Sequence, residues 1–481
     1  MTLRLAYLVP LAASAGLAAS VAVRAALVPA VAVAACALVL RPPLALALLI
    51  AVGGWLWGTE RLHALDRSVL ASRIGTAERA MVETQERART TRYAVRARAL
   101  ALRWGELRMR EPVLLELPVG RAPPQGTRLQ VLGVLRAPSE FERGWLRLHG
   151  VHVVLRASAF RVVGTRRSLA DRLHAWLARS AVPGLAGERR AVLEGVVLGE
   201  DEGLSQELRD RFRASGLYHL LAVSGGNVLV VGGGTSVLAL ALGLSRLVAE
   251  SLALLAIGGY VLAVGPQPSV LRAGIAGALG CLAWLSGRER DRWHALLLAA
   301  AALLAWNPYT LLDPGFQLSF AAVLAIFRLA PPIRRFLEGY PLPPHTREPV
   351  ALSAACGLAT APISWLHFRQ IPLVAIPANV AAAPVVAPML ALALLAAALP
   401  ALGPVLAQAN GVLAAYLAGC ARLFGGLPGA QVKSGAGAAA LAAVALLAAA
   451  YAWSRGERAE AGLPADGQRP AEDRARGSPA A

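Results

Sequence analysis

The stretch "LYHLLAVSGGNVLVVGGG", residues 217–234, sets His219, Ser224 and Asn227 among glycines inside an apolar run. A serine with a nearby histidine is raw material for nucleophilic hydrolysis, the imidazole taking the hydroxyl proton. The frame is wrong for it: Ser224 lacks a G-x-S-x-G setting, and a base five residues away on one helix points elsewhere. In lipid, the backbone of Ser224, Gly225, Gly226 and Asn227 would leave donors and acceptors unsatisfied unless protein or a water-filled cavity surrounds it. A break there implies a broken helix lining a path. Gly232, Gly233 and Gly234 then allow close helix approach or a second break. Tight packing alone is the plainer use of such glycines.

Three more places put polar or helix-breaking residues into apolar runs. "VGPQPSVLRAGIAGALG" has Pro266 and Pro268 before a helix and Arg272 near its positive end, where a cation is least welcome and must be paired or face water. "NPYTLLDPGFQLSFAAV" offers Asp313 as N-cap and Pro314 in the first turn. Gly315, Gln317 and Ser319 follow, with Phe316 and Phe320 on one face as core or as a stacking platform. "RQIPLVAIPANVAAAPVVAPML" spaces Pro372, Pro377, Pro384 and Pro388 around Asn379, which reads as a discontinuous helix or re-entrant loop.

These residues need a membrane scaffold, and the composition supplies one. A chain of 481 residues with 56% hydrophobic residues and mean hydropathy +0.54 is a polytopic α-helical membrane protein, not a soluble globule. Apolar runs near residues 5–23, 27–40 and 44–57 open it; Arg4 and Arg41 favour cytoplasmic ends and send the chain outward after Trp57. The expected organisation is N-terminal helices over 1–58, a β-domain over 59–166, amphipathic interfacial helices over 167–216, a transmembrane domain over 217–453 and a disordered tail over 454–481. The transmembrane domain should hold roughly seven to nine spans or part-spans. In the interfacial segment Leu204, Leu208 and Phe212 recur at helical spacing, and Gly216 stands at a helix stop.

The β-domain reading rests on "ELRMREPVLLELP", "TRLQVLGVLRA" and "GWLRLHGVHVVLRAS", strand-like pieces separated by turns. About 100 residues of short strands suffice for one small inserted, extracytoplasmic β-barrel. Between Glu60 and Arg190 arginines outnumber acids about two to one, a bias that attracts polyanions or anionic headgroups or else merely solvates a face. The whole chain carries a formal charge of +19 with Lys433 as its single lysine. Cys36, Cys281, Cys356 and Cys420 stand alone in apolar stretches without disulfide or metal-ligand spacing. No metal or cofactor site is expected; His149 and His152 sit in strand context without acidic partners.

The order "LGEDEGLSQELRDRFRASGLYHLLAVSGGNV", "PSVLRAG", "NPYTLLDPGFQLSFAAV", "IPANVAAAPVVAP" resembles the competence-protein (ComEC) family of DNA-uptake channels over roughly residues 190–400. The leading helices and small β-domain, of OB type in that family, fit as well. The resemblance implies a multi-pass protein of the cytoplasmic (inner) membrane that passes single-stranded DNA during natural transformation, with no catalytic residue. It carries over His219, Ser224, Gly225, Arg272, the run Gly315 to Phe320, and Asn379; Gly226, Asn227, Asp313 and Pro384 join them as candidates for the path. In the β-domain, Arg108, Arg128 and Arg147 would meet phosphates, and Trp104 and Trp145 would stack on bases. Two departures stand out: many members have histidine where this chain has Asn227, and longer members end in a metallo-β-lactamase-like nuclease domain absent here. The implied partners are therefore single-stranded DNA, membrane lipid, a separate nuclease, a DNA receptor, a cytoplasmic DNA motor and a second copy of the chain. The competing readings are a transporter for a small anionic solute and an intramembrane serine hydrolase.

Overall fold

The computed structural model describes residues 5–24, 42–86, 88–90, 93–120, 122–166, 168–265, 267–286 and 291–433, with 435–437, 439–441, 443–444 and 447 beyond. The apolar run at 27–40, Arg4, Arg41, Cys36, Pro266 and the tail from 454 lie outside the described residues. Six helices are long and apolar enough to cross a membrane: Pro42–Arg73, Arg246–Val264, Pro268–Leu285, Pro344–Phe368, Ala375–Ala398 and Gly403–Gly425. Pro314–Arg328 and Ala330–Leu337 pass the same test together across a 49° bend, and Tyr7–Ala22, Gly225–Ala241 and Arg292–Trp306 are shorter apolar helices. The protein is mostly helical and multi-pass, as the composition requires. The described residues divide into two compact units, within Met1–Leu204, Leu220–Phe316 and Ala387–Ala414, and within Ser205–His219, Gln317–Val386 and Ala415–Ala481.

In the first unit, α1 (Leu5–Ala22) packs against α2 (Pro42–Asp66), and Trp55 Nε1 donates to the Val23 carbonyl at 2.7 Å. The helix outlasts its apolar run by nine residues because "GTERLHALD" is made largely of helix formers and buries Leu62. That extension delivers Asp66 to the base of the sheet. Strands β1 (Ala77–Thr84), β2 (Arg89–Thr90), β3 (Val95–Trp104), β4 (Leu107–Leu117), β5 (Thr127–Arg136) and β6 (Val154–Thr165) form one sheet in the order β1-β5-β6-β4-β3-β2, with β1 also paired to β3. All pairs are antiparallel except β4 with β6. Period-two alternation along β3 turns Val95, Ala97, Ala99 and Ala101 inward against Val82, Val113, Leu115, Leu129 and Leu155.

Two sequence expectations for this region are corrected. Residues 144–148 are not strand: α3 (Glu140–Leu148) is helical, with Glu140 and Glu142 in its first turn and Arg147 in its last, the charge order a helix dipole favours. His149 caps that helix and His152 precedes β6, its Nε2 2.8 Å from the Leu65 carbonyl, so neither lies in a strand. Trp104 is 4% exposed within the sheet's core. A ring so enclosed fills volume and offers no face to a base.

Beyond the sheet come α4 (Leu169–Ser180), begun by a capping box of Ser168 and Asp171, and α5 (Gly187–Leu198). Val192, Leu193 and Val196 of α5 are fully enclosed, so this helix packs inside protein instead of floating on an interface. In the second unit, α6 (Gln206–Ala214) buries Leu208 and Phe212 and stops at Gly216, where φ is +76°. In chain order, with α8 to α11 in the first unit, then follow α7 (Tyr218–Leu221), α8 (Gly225–Ala241), α9 (Arg246–Val264), α10 (Pro268–Leu285), α11 (Arg292–Trp306), α12 (Pro314–Arg328), α13 (Ala330–Leu337), α14 (Pro344–Phe368), β7 (Ile371–Pro372), α15 (Ala375–Ala398), α16 (Gly403–Gly425) and β8 (Gln431–Val432). Gly232 does not break α8; it brings α9 close, since a Cβ there would fall 2.7 Å from Ile257 Cδ1. The proline-rich run is likewise unbroken: Pro377 lies in the first turn of α15, where its missing N–H costs nothing, and Pro384 and Pro388 interrupt a helix that has no better way to satisfy its backbone in an apolar medium. The sharp bend falls at Leu329 instead, where Pro331 and Pro332 open α13. Cys281 and Cys420 are buried and Cys356 partly buried, all as free thiols.

One carboxylate ties the sheet region to the helices of the first unit. Asp66 takes a two-point contact from Arg147 (Nε to Oδ1 3.1 Å, Nη2 to Oδ2 2.9 Å), a bond from Arg24 Nη2 at 2.9 Å, and the Tyr309 hydroxyl at 2.8 and 2.9 Å. Both guanidinium groups also lie over the Tyr309 ring, 5.9 and 5.7 Å from its centre. Asn307 Nδ2 adds a bond to the Leu148 carbonyl at 2.8 Å. Removing the acid strands two cations around one phenol. Asp66→Ala should lower stability by about 2 kcal/mol, since the groups are only partly buried, and Tyr309→Phe by about 1 kcal/mol. Thermal unfolding of the purified protein in detergent checks the order; equal losses would mean that the carboxylate is not the hub.

Candidate functional site

The break expected over Ser224, Gly225, Gly226 and Asn227 falls slightly earlier, at residues 222–224 between α7 and α8, and Gly225, Gly226 and Asn227 are already helical; the polar atoms around the break are accounted for. Ser224 is extended (φ −100°, ψ 167°) at the start of α8, and its hydroxyl donates to Asn227 Oδ1 at 3.0 Å. Asn227, 3% exposed, donates from Nδ2 to the Val196 carbonyl at 2.8 Å and to the Tyr260 hydroxyl at 3.4 Å. Tyr260 in turn donates to the Val197 carbonyl at 2.8 Å. Val196 and Val197 stand in the last turn of α5, whose carbonyls have no partner within the helix. Asn227 and Tyr260 therefore cap α5 from the side. Val223, inside the break, gives its carbonyl to Ser269 Oγ of α10 at 2.9 Å.

Three helix starts gather around this break. Arg272, half-buried one turn into α10, lays its guanidinium beside the first residue of α8: a Cβ on Gly225 would fall 2.8 Å from Arg272 Nη2. Glycine leaves room for that approach, and a side chain there would displace the guanidinium tip. Gly315, at the start of α12, sits next to Pro268 at the start of α10, since its Cβ would lie 3.9 Å from Pro268 Cγ. Asp313 caps α12 as expected, its Oδ1 taking the Phe316 N–H at 3.1 Å. The first turns of α8, α10 and α12 thus bring partial positive charge and one guanidinium together, against one carboxylate held by its cap. Such a place favours anions, each helix start contributing about 0.3–1 kcal/mol.

The remaining candidates are placed as follows. Gly226 lies in the first turn of α8, and Phe316 is buried, so its ring packs and does not stack on a ligand. In the second unit, Gln317 Oε1 accepts from His367 Nε2 at 2.8 Å, linking α12 to α14, and Asn379 Nδ2 donates to Ser353 Oγ at 3.0 Å, linking α15 to α14. Ser319 and Phe320 are partly buried on α12, Pro384 is exposed on α15, and His219 Nδ1 bonds the Gly216 carbonyl at 2.9 Å. In the sheet domain Arg128 is paired to Glu83 at 2.9 Å, and its bond to Asp66 holds the Arg147 guanidinium above its ordinary range. Arg108, opposite Arg103 in the β3–β4 hairpin, and Trp145, 49% exposed with its ring 4.4 Å from His149, remain at the surface. Sequence reasoning missed Tyr260 and Ser269. A hydroxyl in an apolar helix was visible, but the carbonyl it serves belongs to another helix.

Among known proteins, the model of the family described as "Competence protein" matches residues 196–458. "ComE operon protein 3" of Bacillus subtilis (strain 168) is 27% identical over 205 residues, 42% of this chain and 25% of that one. "Uncharacterized protein YcaI" of Escherichia coli (strain K12) is 29% identical over 219 residues, 41% of this chain and 27% of its own. The chain thus spans about a quarter of the length of these curated relatives. No solved structure matches.

The capping role of Asn227 separates it from its neighbour. Asn227→Leu should cost about 2–3 kcal/mol, because the Val196 carbonyl is left buried without a donor. Asn227→His, which restores a ring N–H, should recover most of that loss. Ser224→Ala should cost at most about 1 kcal/mol and leave function intact, whereas a nucleophile would lose everything. Membrane abundance and detergent melting temperature of the three variants check this; a stable Asn227→Leu protein would refute the cap.

Proposed function

Because the chain belongs to the competence protein family, we propose that it acts in DNA uptake during transformation and that its helices form a channel for single-stranded DNA across the cytoplasmic membrane. The observation that carries this reading is the gathering of the α8, α10 and α12 starts around Arg272. Backbone N–H groups at those starts can meet successive phosphates without placing many full charges in lipid, and the guanidinium adds a two-point phosphate contact. Ser224, its proton given to Asn227, is a structural residue in this reading, and the chain breaks no bond.

The sheet over residues 59–166 is read as an OB-type domain outside the membrane. Its support is the pairing of β1 with both β3 and β5 and the parallel β4–β6 pair, which together wrap the strands around one core. Arg108 and Trp145 are its exposed candidates for phosphate and base contact. The strand would come from a DNA receptor, be drawn inward by a cytoplasmic motor, and be degraded on its partner strand by a separate nuclease; a homo-oligomer is compatible with this arrangement.

Arg272 decides between a pore and a structural role. In a transformable strain lacking its own copy, Arg272→Ala and Arg272→Gln should reduce uptake at least about ten-fold at normal membrane abundance, and Arg272→Lys should fall less, keeping charge but losing the fork. Uptake that merely tracks abundance would sink the pore reading.

A further inference from the structure

At the 49° bend after α12 the chain changes character. Ala330 and Ile333 of α13 pack with Ala325, Leu329, Leu352, Ala355 and Ala359, so one side of this eight-residue helix is anchored to α12 and α14. Arg335 points away from that side and Arg334 flanks it, both exposed, with no ion pair to either among the described residues. Beside them lie two aromatic rings, Phe336 on the helix and Tyr340 just past its end, 63% and 50% exposed and tilted against each other with ring centres 5.0 Å apart. Arg347, in the first turn of α14, follows closely, against Glu338 and Glu348. Water is a poor home for two exposed aromatic rings packed on each other, and hydrocarbon is a poor home for two arginines. The headgroup layer of a bilayer suits both at once.

We propose that α13 lies in the headgroup layer of the cytoplasmic leaflet, that Arg334 and Arg335 bind the phosphate of an anionic phospholipid, and that Phe336 and Tyr340 sit at the acyl boundary below. Continuity with α14, one of the long apolar helices, puts the segment at membrane depth, and the excess of arginine over acid in this short connection matches the cytoplasmic side. The attraction is chiefly Coulombic, so charge matters more than the guanidinium fork.

The test uses the full chain in nanodiscs of phosphatidylcholine with or without phosphatidylglycerol, with retained lipid counted by native mass spectrometry and melting temperature followed in parallel. Wild type should retain phosphatidylglycerol preferentially and melt higher in its presence, and high salt should weaken both effects. The double variant Arg334→Gln/Arg335→Gln should lose roughly thirty-fold of that preference, Arg334→Lys/Arg335→Lys should keep most of it, and Arg103→Gln/Arg108→Gln, in the sheet domain, should be unaffected. An unchanged preference in the glutamine variant overturns the proposal. So does inorganic phosphate that reproduces the melting shift without anionic lipid, or a single-stranded oligonucleotide that displaces the lipid through the same arginines.

Discussion

A backbone in an apolar medium must find every hydrogen-bond partner within the protein, and that constraint shapes most of this structure. Where α5 ends, its last carbonyls cannot turn to water, so Asn227 and Tyr260 reach in from α8 and α9. Where the chain breaks before α8, the Val223 carbonyl is taken by Ser269. The polar residues of the apolar runs are therefore largely committed to backbone, and the break they allow is held open by bonds, not by looseness. The same constraint keeps α15 helical through its prolines, because a helix with a few lost bonds leaves fewer orphaned groups than an unwound segment.

Around the break, the starts of α8, α10 and α12 and the Arg272 guanidinium lie together. Partial charges spread over three helix ends favour an anion weakly at each one, without a full charge at each. The glycine at the first position of α8 is what lets the guanidinium approach. At the base of the sheet the logic is reversed. There Asp66 gathers two arginines and a tyrosine in one partly buried cluster, and the cations are spent on holding α3 against the ends of α2 and the turn at Pro308–Leu312. Arginine excess in a sequence thus overstates the arginine available to a ligand; Arg128 and Arg147 are both engaged within the protein.

Periodicity and punctuation made much of the fold legible. The apolar runs became helices, the alternating pieces around 107–117 and 127–136 became strands, Gly216 ended α6, and Asp313 capped α12. The failures have a common cause. "GWLRLHGVHVVLRAS" opens on the last turn of a helix whose acidic first turn, Glu140 and Glu142, precedes it, and closes on a strand; the alternation within it cannot say where one yields to the other. Trp104 shares the period-two face of Arg96 and Arg98 and so reads as exposed, but a register shift between Ala101 and Arg103 turns it into the core.

Residue types and their spacing by themselves determined that the chain is a multi-pass helical protein with an inserted sheet, and that the run around Ser224 must break. Those conclusions depend on local chemistry: hydrophobic length, glycine, proline, and the cost of polar groups in lipid. Only the tertiary structure decided that Asn227 caps α5, that Arg272 lies against Gly225, and that Asp66 is the joint beneath the sheet. Each of these is a contact between residues tens to hundreds of positions apart, and such pairing follows from how helices pack, which no single stretch of sequence encodes.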